Sequence, residues 1–135
     1  MIARYDVDID FLEVMVSEVK SFGTSVSDSL TLFYAEKNKT LVGFHLMDAS
    51  HNLLELEAVP HKLRLVGLIR MARGKLDITQ RELAKKAHIG QRTLQRAESG
   101  EGNLTFDNLV SLQTVAPKTL DFSIALKPTK LKKAK

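Results

Sequence analysis

The sequence predicts an α+β chain: a small N-terminal antiparallel β-meander, then an all-α bundle of short helices, then a C-terminal β-strand. Three observations carry this. Apolar and polar residues alternate with period two through much of the first half, as half-buried strands require. After Pro60 the apolar residues recur at three- and four-residue steps, the period of a helix with one buried face. Strict alternation then returns over residues 119–126.

The first strand is read from Tyr5, Val7, Ile9 and Phe11, which alternate with Asp6, Asp8 and Asp10. The phase then shifts to Leu12, Val14 and Val16, which calls for a bulge or a change of strand near Phe11. The polar run SFGTSVSDS reads as a loop. Leu30–Glu36 and Thr40–Met47 flank the turn residues EKNK and form the clearest hairpin in the chain. About three strands bury little by themselves, so this meander has to pack on a helix or on another copy. HNLLELEAV, from His51 to Val59, is either a short helix or a connector, and Pro60 marks a boundary.

Beyond that boundary, Leu63, Val66, Ile69 and Ala72, with Leu65 and Leu68 beside them, make a wide apolar stripe on a helix ending near Gly74. Thr79 with Glu82 three residues later has the form of a capping box. Leu83, Ala84 and Ala87 follow at helical spacing, and Ile89-Gly90 interrupts the pattern. A further helix from about Gln91 to Ser99 has Leu94 and Ala97 as its inward pair. Gly100 supplies a left-handed stop. Thr105 caps another helix whose buried face is Phe106, Leu109, Leu112 and Val115, ended by Pro117. The expected organisation is a β-rich interaction or dimerisation domain over 1–59 and a helical domain over 60–117. A strand over 118–127 and a basic tail over 128–135 complete it.

Composition and charge narrow the function. With 135 residues, 44% hydrophobic and 27% charged, the chain has the make-up of an ordinary soluble globular protein. It has no cysteine, which excludes disulfides and thiolate metal sites and suits a reducing cytoplasm. No apolar run approaches the roughly 18 residues of a membrane span, and MIARYDVDID is too acidic and polar for a signal peptide. No membrane partner is expected. Residues 1–60 hold 4 Lys/Arg and 10 Asp/Glu, a balance of −6; residues 61–135 hold 16 and 6, a balance of +10. Only the second half is therefore suited to a polyanion.

Within that basic half, burying Leu94 and Ala97 leaves Gln91, Arg92, Gln95 and Arg96 on the outer side of one helix. These side chains can hydrogen-bond base edges and phosphates. The stretch Ile78–Gly100 therefore reads as two short helices and a tight turn that present a DNA-reading face. An ordinary solvated helix face is the competing account of QRTLQR taken alone.

From Ile69 onward the chain resembles the Cro/repressor-type, or XRE, helix-turn-helix family, over about Leu63–Val115. Ile69-Arg70-x-Ala72-Arg73 stands where that family has IRxLR. Ile78-Thr79-Gln80-x-Glu82-Leu83-Ala84 matches its TQxELA, and Thr93-Leu94-x-Arg96-x-Glu98-x-Gly100 matches its third helix and closing ExG. Leu104-Thr105-Phe106 with Leu109 matches the start of its fourth helix. The resemblance implies an all-α helix-turn-helix bundle in which Gln80 touches phosphate and Gln91, Arg92, Gln95 and Arg96 face the major groove, with Thr93 at its edge. It implies a structural ion pair between Arg73 and Glu98. Two positions depart from the pattern. His88 replaces the usual turn glycine, where a positive φ is expected, and Gly90 replaces the usual Ser or Thr cap of the third helix.

Two narrower resemblances follow. The order of a helical Leu-Val-Ser-Leu segment and then Leu-Asp-Phe-Ser-Ile-Ala-Leu is similar to HipB-like antitoxins. In those proteins a strand pairs across the dimer two-fold, so Leu120, Phe122, Ile124 and Leu126 would form a dimer strand; pairing with the N-terminal sheet of the same chain is the alternative. Residues 4–52, with Tyr5-Asp6, Leu41-Val42-Gly43 and Asp48-Ala49-Ser50, loosely resemble a small uncharacterised bacterial β-domain.

Together these point to a homodimeric, sequence-specific transcriptional autorepressor on double-stranded DNA, the antitoxin of a toxin–antitoxin pair whose acidic half meets a cognate toxin. A stand-alone or phage-type repressor, whose N-terminal domain dimerises or senses a signal, is the alternative. The expected location is cytoplasmic, on the nucleoid. No catalysis, metal or cofactor is expected. His45, His51, His61 and His88 lack metal-site spacing, and no phosphate loop or nucleophile elbow occurs.

Overall fold

The computed structural model describes residues 1–16 and 18–130. Five antiparallel strands, β1 (Ile2–Asp6), β2 (Phe11–Met15), β3 (Ser21–Ser25), β4 (Leu30–Ala35) and β5 (Leu41–Leu46), form one sheet in the order β1-β2-β5-β4-β3. A β1–β2 hairpin is thus joined to a β3-β4-β5 meander through β2 and β5, with Leu12 opposite Leu46 and Val14 opposite Phe44. The β4–β5 hairpin lies where the sequence places it.

Two strand expectations are corrected. The alternation of Tyr5, Val7, Ile9 and Phe11 is not one strand. The chain turns after Asp6, whose Oδ1 accepts from the amides of Asp8 (3.0 Å) and Ile9 (3.4 Å), and Asp10 takes a left-handed φ of 53°. Aspartates bind nearby backbone amides and tolerate that conformation, so here they make a turn. Val7 and Ile9 are consequently exposed. The polar run expected as a loop contains β3, an edge strand held to β4 by backbone pairing that a reading of apolar periodicity does not register.

One face of the sheet buries Leu12, Val14, Leu30, Leu32, Phe44 and Leu46. Across it lies α1 (His61–Leu76), which begins after Pro60 and runs two residues past Gly74. Gly67 and Gly74 are both points of close approach. A Cβ at Gly67 would stand 2.9 Å from Leu12 Cδ2 and 3.3 Å from Phe44 Cζ, so a larger residue would have to push these side-chain tips aside. Residues Leu63 to Ile69 are all buried because α1 is covered by the sheet, by the helix Gln91–Glu98 and by the C-terminal segment. The helices α2 (Gln80–Ala87), α3 (Gln91–Glu98) and α4 (Phe106–Val115) complete the bundle, and sheet and helices share one continuous core. The connector before α1 is two 3-10 helices, Ala49–His51 and Leu53–Ala58.

The C-terminal segment is not a strand. Phe122–Leu126 forms a 3-10 helix, and Leu120, Phe122 and Ile124 are buried within their own chain, while Leu126 is half exposed. The backbone groups that a strand would offer to a partner are already taken. Gln113 Nε2 donates to Leu120 O (2.8 Å), and its Oε1 accepts from Phe122 N (2.7 Å). Arg64, fully buried, donates through Nη1 to Ile124 O (2.8 Å) and Lys127 O (2.6 Å). Its other nitrogens reach the carbonyls of Val59 and Glu57 on the connector. Burial pulls the guanidinium below its usual pKa, with Glu57 acting the other way, yet an arginine stays charged in this range. The pairing expected of Leu120, Phe122, Ile124 and Leu126 therefore gives way to an intrachain clamp. Residues 131–135 of the expected basic tail lie outside the described residues.

A second polar cluster ties the 7–10 turn to the connector and to α1. Tyr5 Oη donates to Asp10, whose carboxylate also accepts from Ser50 N and Ser50 Oγ, both at 2.9 Å. Lys75 Nζ donates to Ser50 Oγ at 2.5 Å. Burial, and next the Asp10 hydrogen bond, push the Tyr5 phenol up to about 12. Burial works against the Asp10 charge, but the hydrogen bonds from Tyr5 and Ser50 outweigh it and hold that carboxyl below its ordinary value.

Two outcomes are expected. Arg64→Leu should lower the unfolding free energy in urea by about 3 kcal/mol or more, because buried carbonyls lose their donors; a loss under about 1 kcal/mol would mean the clamp is dispensable. Asp10, with its lowered pKa, lends stability that is complete above the unfolded value near ~3.9. That contribution disappears as pH falls through the folded value, so Asp10→Asn should be less stable at neutral pH and lose less on acidification.

Candidate nucleic-acid interface

The site is built from α2, the turn after it, and α3. Thr79 Oγ1 accepts from Glu82 N and Glu82 Oε1 accepts from Thr79 N, both at 3.1 Å, so the capping box closes as its sequence requires. The Thr79 amide, and next the Thr79 hydroxyl, hold the Glu82 carboxyl below its usual value. α2 ends at His88, left-handed with φ 54° and ψ 42°, and Ile89 N returns to Ala84 O at 2.9 Å. The positive φ expected at this position is thus adopted by a histidine. Gly90 precedes α3 without a side-chain cap. Gly100, at φ 79°, reverses the chain after α3, and the amides of Glu101 and Gly102 both close on Arg96 O.

α3 has a narrow buried heel and a broad open face. Leu94 and Ala97 are buried, whereas Gln91, Arg92, Thr93, Gln95 and Arg96 are all exposed. Arg73 and Glu98 are held differently. Arg73 Nη1 donates to Glu98 Oε2 at 2.5 Å, with the two side chains only 18% and 11% exposed. Gln80, at the start of α2, donates through Nε2 to the same Oε2 at 3.0 Å. The carboxylate of Glu98 therefore joins α1, α2 and α3, and Gln80 is fastened to the scaffold as well as standing at a helix start. Both partners keep little solvent, so their charges are costly to separate.

The structure adds neighbours that the sequence reading does not include. A shallow groove of about 370 Å³ is lined by Arg92, Thr93 and Arg96 together with Gly102 and Asn103 of the loop after α3. The run Gly-Glu-Gly-Asn is the only signal in sequence, marking a loop without bulk, and it does not say which face that loop joins. Two guanidiniums, a hydroxyl and an asparagine thus line one groove, while Gln95 borders a second hollow with Arg70, Arg73, Gln80 and Glu98. Arginine is suited to the O6/N7 edge of guanine and glutamine or asparagine to the N6/N7 edge of adenine, each in bidentate fashion.

Elsewhere, Asp10, Asp48 and His51 bring ligand atoms within 4.8 Å of one another, so among the described residues they are a group able to share a cation. Asp10 is already occupied by Tyr5 and Ser50, and His51 Nδ1 contacts Asp48 Oδ1 at 2.9 Å. These are the polar bonds of a structural corner. Among the described residues no helix is long and apolar enough to cross a membrane.

Residues 69–122 match a protein-family model described as helix-turn-helix. No curated protein and no solved structure matches the chain. The matched span runs from the second half of α1 through α4 to the start of the C-terminal 3-10 helix.

The contrast between scaffold and face is measurable. Glu98→Ala should cost about 3–5 kcal/mol in stability by stranding Arg73, whereas Arg96→Ala should stay within about 0.5 kcal/mol of the parent. Equal thermal melts for the two variants would contradict the division.

Proposed function

From the premise that residues 69–122 belong to the Cro/repressor-type, or XRE, helix-turn-helix family of DNA-binding regulators, we propose that the protein is a transcriptional autorepressor. It acts as a homodimer on a near-palindromic operator overlapping its own promoter. The observation that carries this reading is the α3 face. Five exposed residues able to hydrogen-bond DNA stand over a buried Leu94–Ala97 heel. One such face reads a half-site. Two copies related by a two-fold would enter successive major grooves about 34 Å apart.

In this mechanism Arg92 and Arg96 contact guanine, Gln91 and Gln95 contact adenine or phosphate, and Thr93 lies at the edge. Gln80 reaches phosphate with the amide hydrogen that Glu98 does not use. The balance of +10 over residues 61–135 supplies attraction to the duplex, and the −6 half carries a different task. We assign that task to a basic protein partner, the toxin of a toxin–antitoxin pair, which the acidic sheet half would meet.

The test is selection of a preferred duplex from a random library, followed by titration of the full chain. Arg96→Ala should lose roughly 1–3 kcal/mol on the selected duplex and relax its preference. Unchanged affinity for both selected and random duplexes would overturn the assignment of α3. Affinity purification from the native host should yield a stoichiometric small basic protein that is lost when residues 1–60 carry charge reversals; its absence removes the antitoxin role and leaves the repressor.

A further inference from the structure

The second hollow, of about 400 Å³, lies where the head of the sheet meets the helix-turn-helix. Arg70 of α1, Gln80 of α2 and Gln95 of α3 stand around the Arg73–Glu98 pair, and Met1 and Ala3 add wall from the start of the chain. Met1 also lies over Gly100, where an added Cβ would stand 2.5 Å from its Cε. The sheet half therefore helps to shape this hollow. We infer that it seats a single phosphate group, the phosphodiester of a duplex backbone, with Arg70 as its cation. The inference rests on the reading of α3 as a DNA face and adds to it a residue, Arg70, that base readout does not use.

The donors around the hollow are largely unspent. Among the described residues, neither the Arg70 nor the Gln95 side chain has a hydrogen bond or ion pair. Arg73 gives Nη1 to Glu98 Oε2, but its Nε is buried without a partner. Gln80 gives one amide hydrogen to the same oxygen and keeps the other. The Ser99 hydroxyl, also in the lining, is already committed and donates to Arg96 O at 3.0 Å. A buried N–H without an acceptor is costly, and an acceptor seated in the hollow that Arg73 borders can supply what the protein does not.

Charge selects the form of the phosphate. Arg73 and Glu98 cancel, which leaves Arg70 uncancelled. Glu98 Oε1 is buried and unpaired as well, and it opposes a second negative charge. The balance suits a monoanion, which a phosphodiester is and a phosphate monoester near neutral pH is not. The guanidinium of Arg70 matches two phosphate oxygens with paired N–H groups. Gln95 stands one turn from Arg92 on α3, so the seat flanks the side chains assigned to bases. A phosphate held there fixes the register of α3 on the duplex and carries no sequence information itself.

The experiment titrates the full chain with the library-selected duplex and with random duplexes over a range of salt, for the parent, Arg70→Ala and Arg70→Lys. Arg70 is half-buried and strands no partner when removed, so both variants should melt with the parent; Arg70→Gln, which keeps much of the stem, replaces the alanine variant if that one melts early. Arg70→Ala should bind selected and random duplexes alike about tenfold more weakly. Its log–log salt slope should be shallower by about one, and Arg70→Lys should restore it. In selected duplexes carrying one methylphosphonate at a time, the position that seats here should weaken the parent and leave Arg70→Ala unmoved. A second arm compares thermal melts in inorganic phosphate and in chloride of equal ionic strength, where little change is expected. Protection that disappears in Arg70→Ala, with duplex binding unaltered, would keep the seat and give it to free phosphate. Parental affinity and slope in Arg70→Ala, without phosphate protection, would sink the inference. So would a loss confined to the selected duplex, which would make Arg70 a base reader. Arg96→Ala tests the other reading: its failure to alter base preference removes α3 as the reader and leaves the uniform loss in Arg70→Ala as a separate result.

Discussion

Arg64 is a charged side chain without solvent, bonded to four main-chain carbonyls and to the Thr129 hydroxyl. Those carbonyls belong to Glu57 and Val59 before α1 and to Ile124 and Lys127 after α4. One guanidinium on α1 thus fastens both ends of the helical region to its central helix. Among the described residues no carboxylate bonds it directly. Its desolvation is offset by carbonyl dipoles, an arrangement that tolerates little displacement because each lost bond leaves a buried acceptor unpaired. Gln113 extends the same clamp from α4 by holding Leu120 and Phe122.

The consequence reaches the function through α1. Its one side meets the sheet so closely at Gly67 that a methyl group would have to push the tips of Leu12 and Phe44 aside, and Arg73 near its C-terminal end holds Glu98 of α3. Sheet and reading helix are therefore referred to one rigid element. The Tyr5–Asp10–Ser50–Lys75 cluster adds a further attachment between the sheet and α1. An acidic half and a basic half, opposite in charge and in proposed task, are mechanically one body.

Much of the α3 site was legible in the residues because its determinants are local. A capping box, a left-handed position at His88, a glycine stop at Gly100 and the Leu94–Ala97 spacing are all decided within a few residues of one another, and the backbone follows them. The β4–β5 hairpin was legible for the same reason. The groove formed with Asn103 was not, since it depends on how the loop after α3 folds back across Arg96. Nor was β3, where Ser, Gly and Thr carry no apolar pattern and the strand exists because β4 offers it an edge.

The C-terminal segment marks the boundary most clearly. Its alternating Leu120, Phe122 and Ile124 correctly signal burial while Leu126 stays half exposed, and burial of alternate residues is equally available to a strand or to a short 3-10 turn wedged between helices. Periodicity cannot distinguish them, because it reports which side chains leave water and not where the peptide groups find partners. That was decided by Arg64 and Gln113, more than fifty and about ten residues away respectively. By itself the sequence determined the helix-turn-helix, the capping box and the exposed polar face of α3, all properties of short-range geometry. Only the tertiary structure decided which carbonyls a buried guanidinium would claim, and with them that the last segment closes on its own chain.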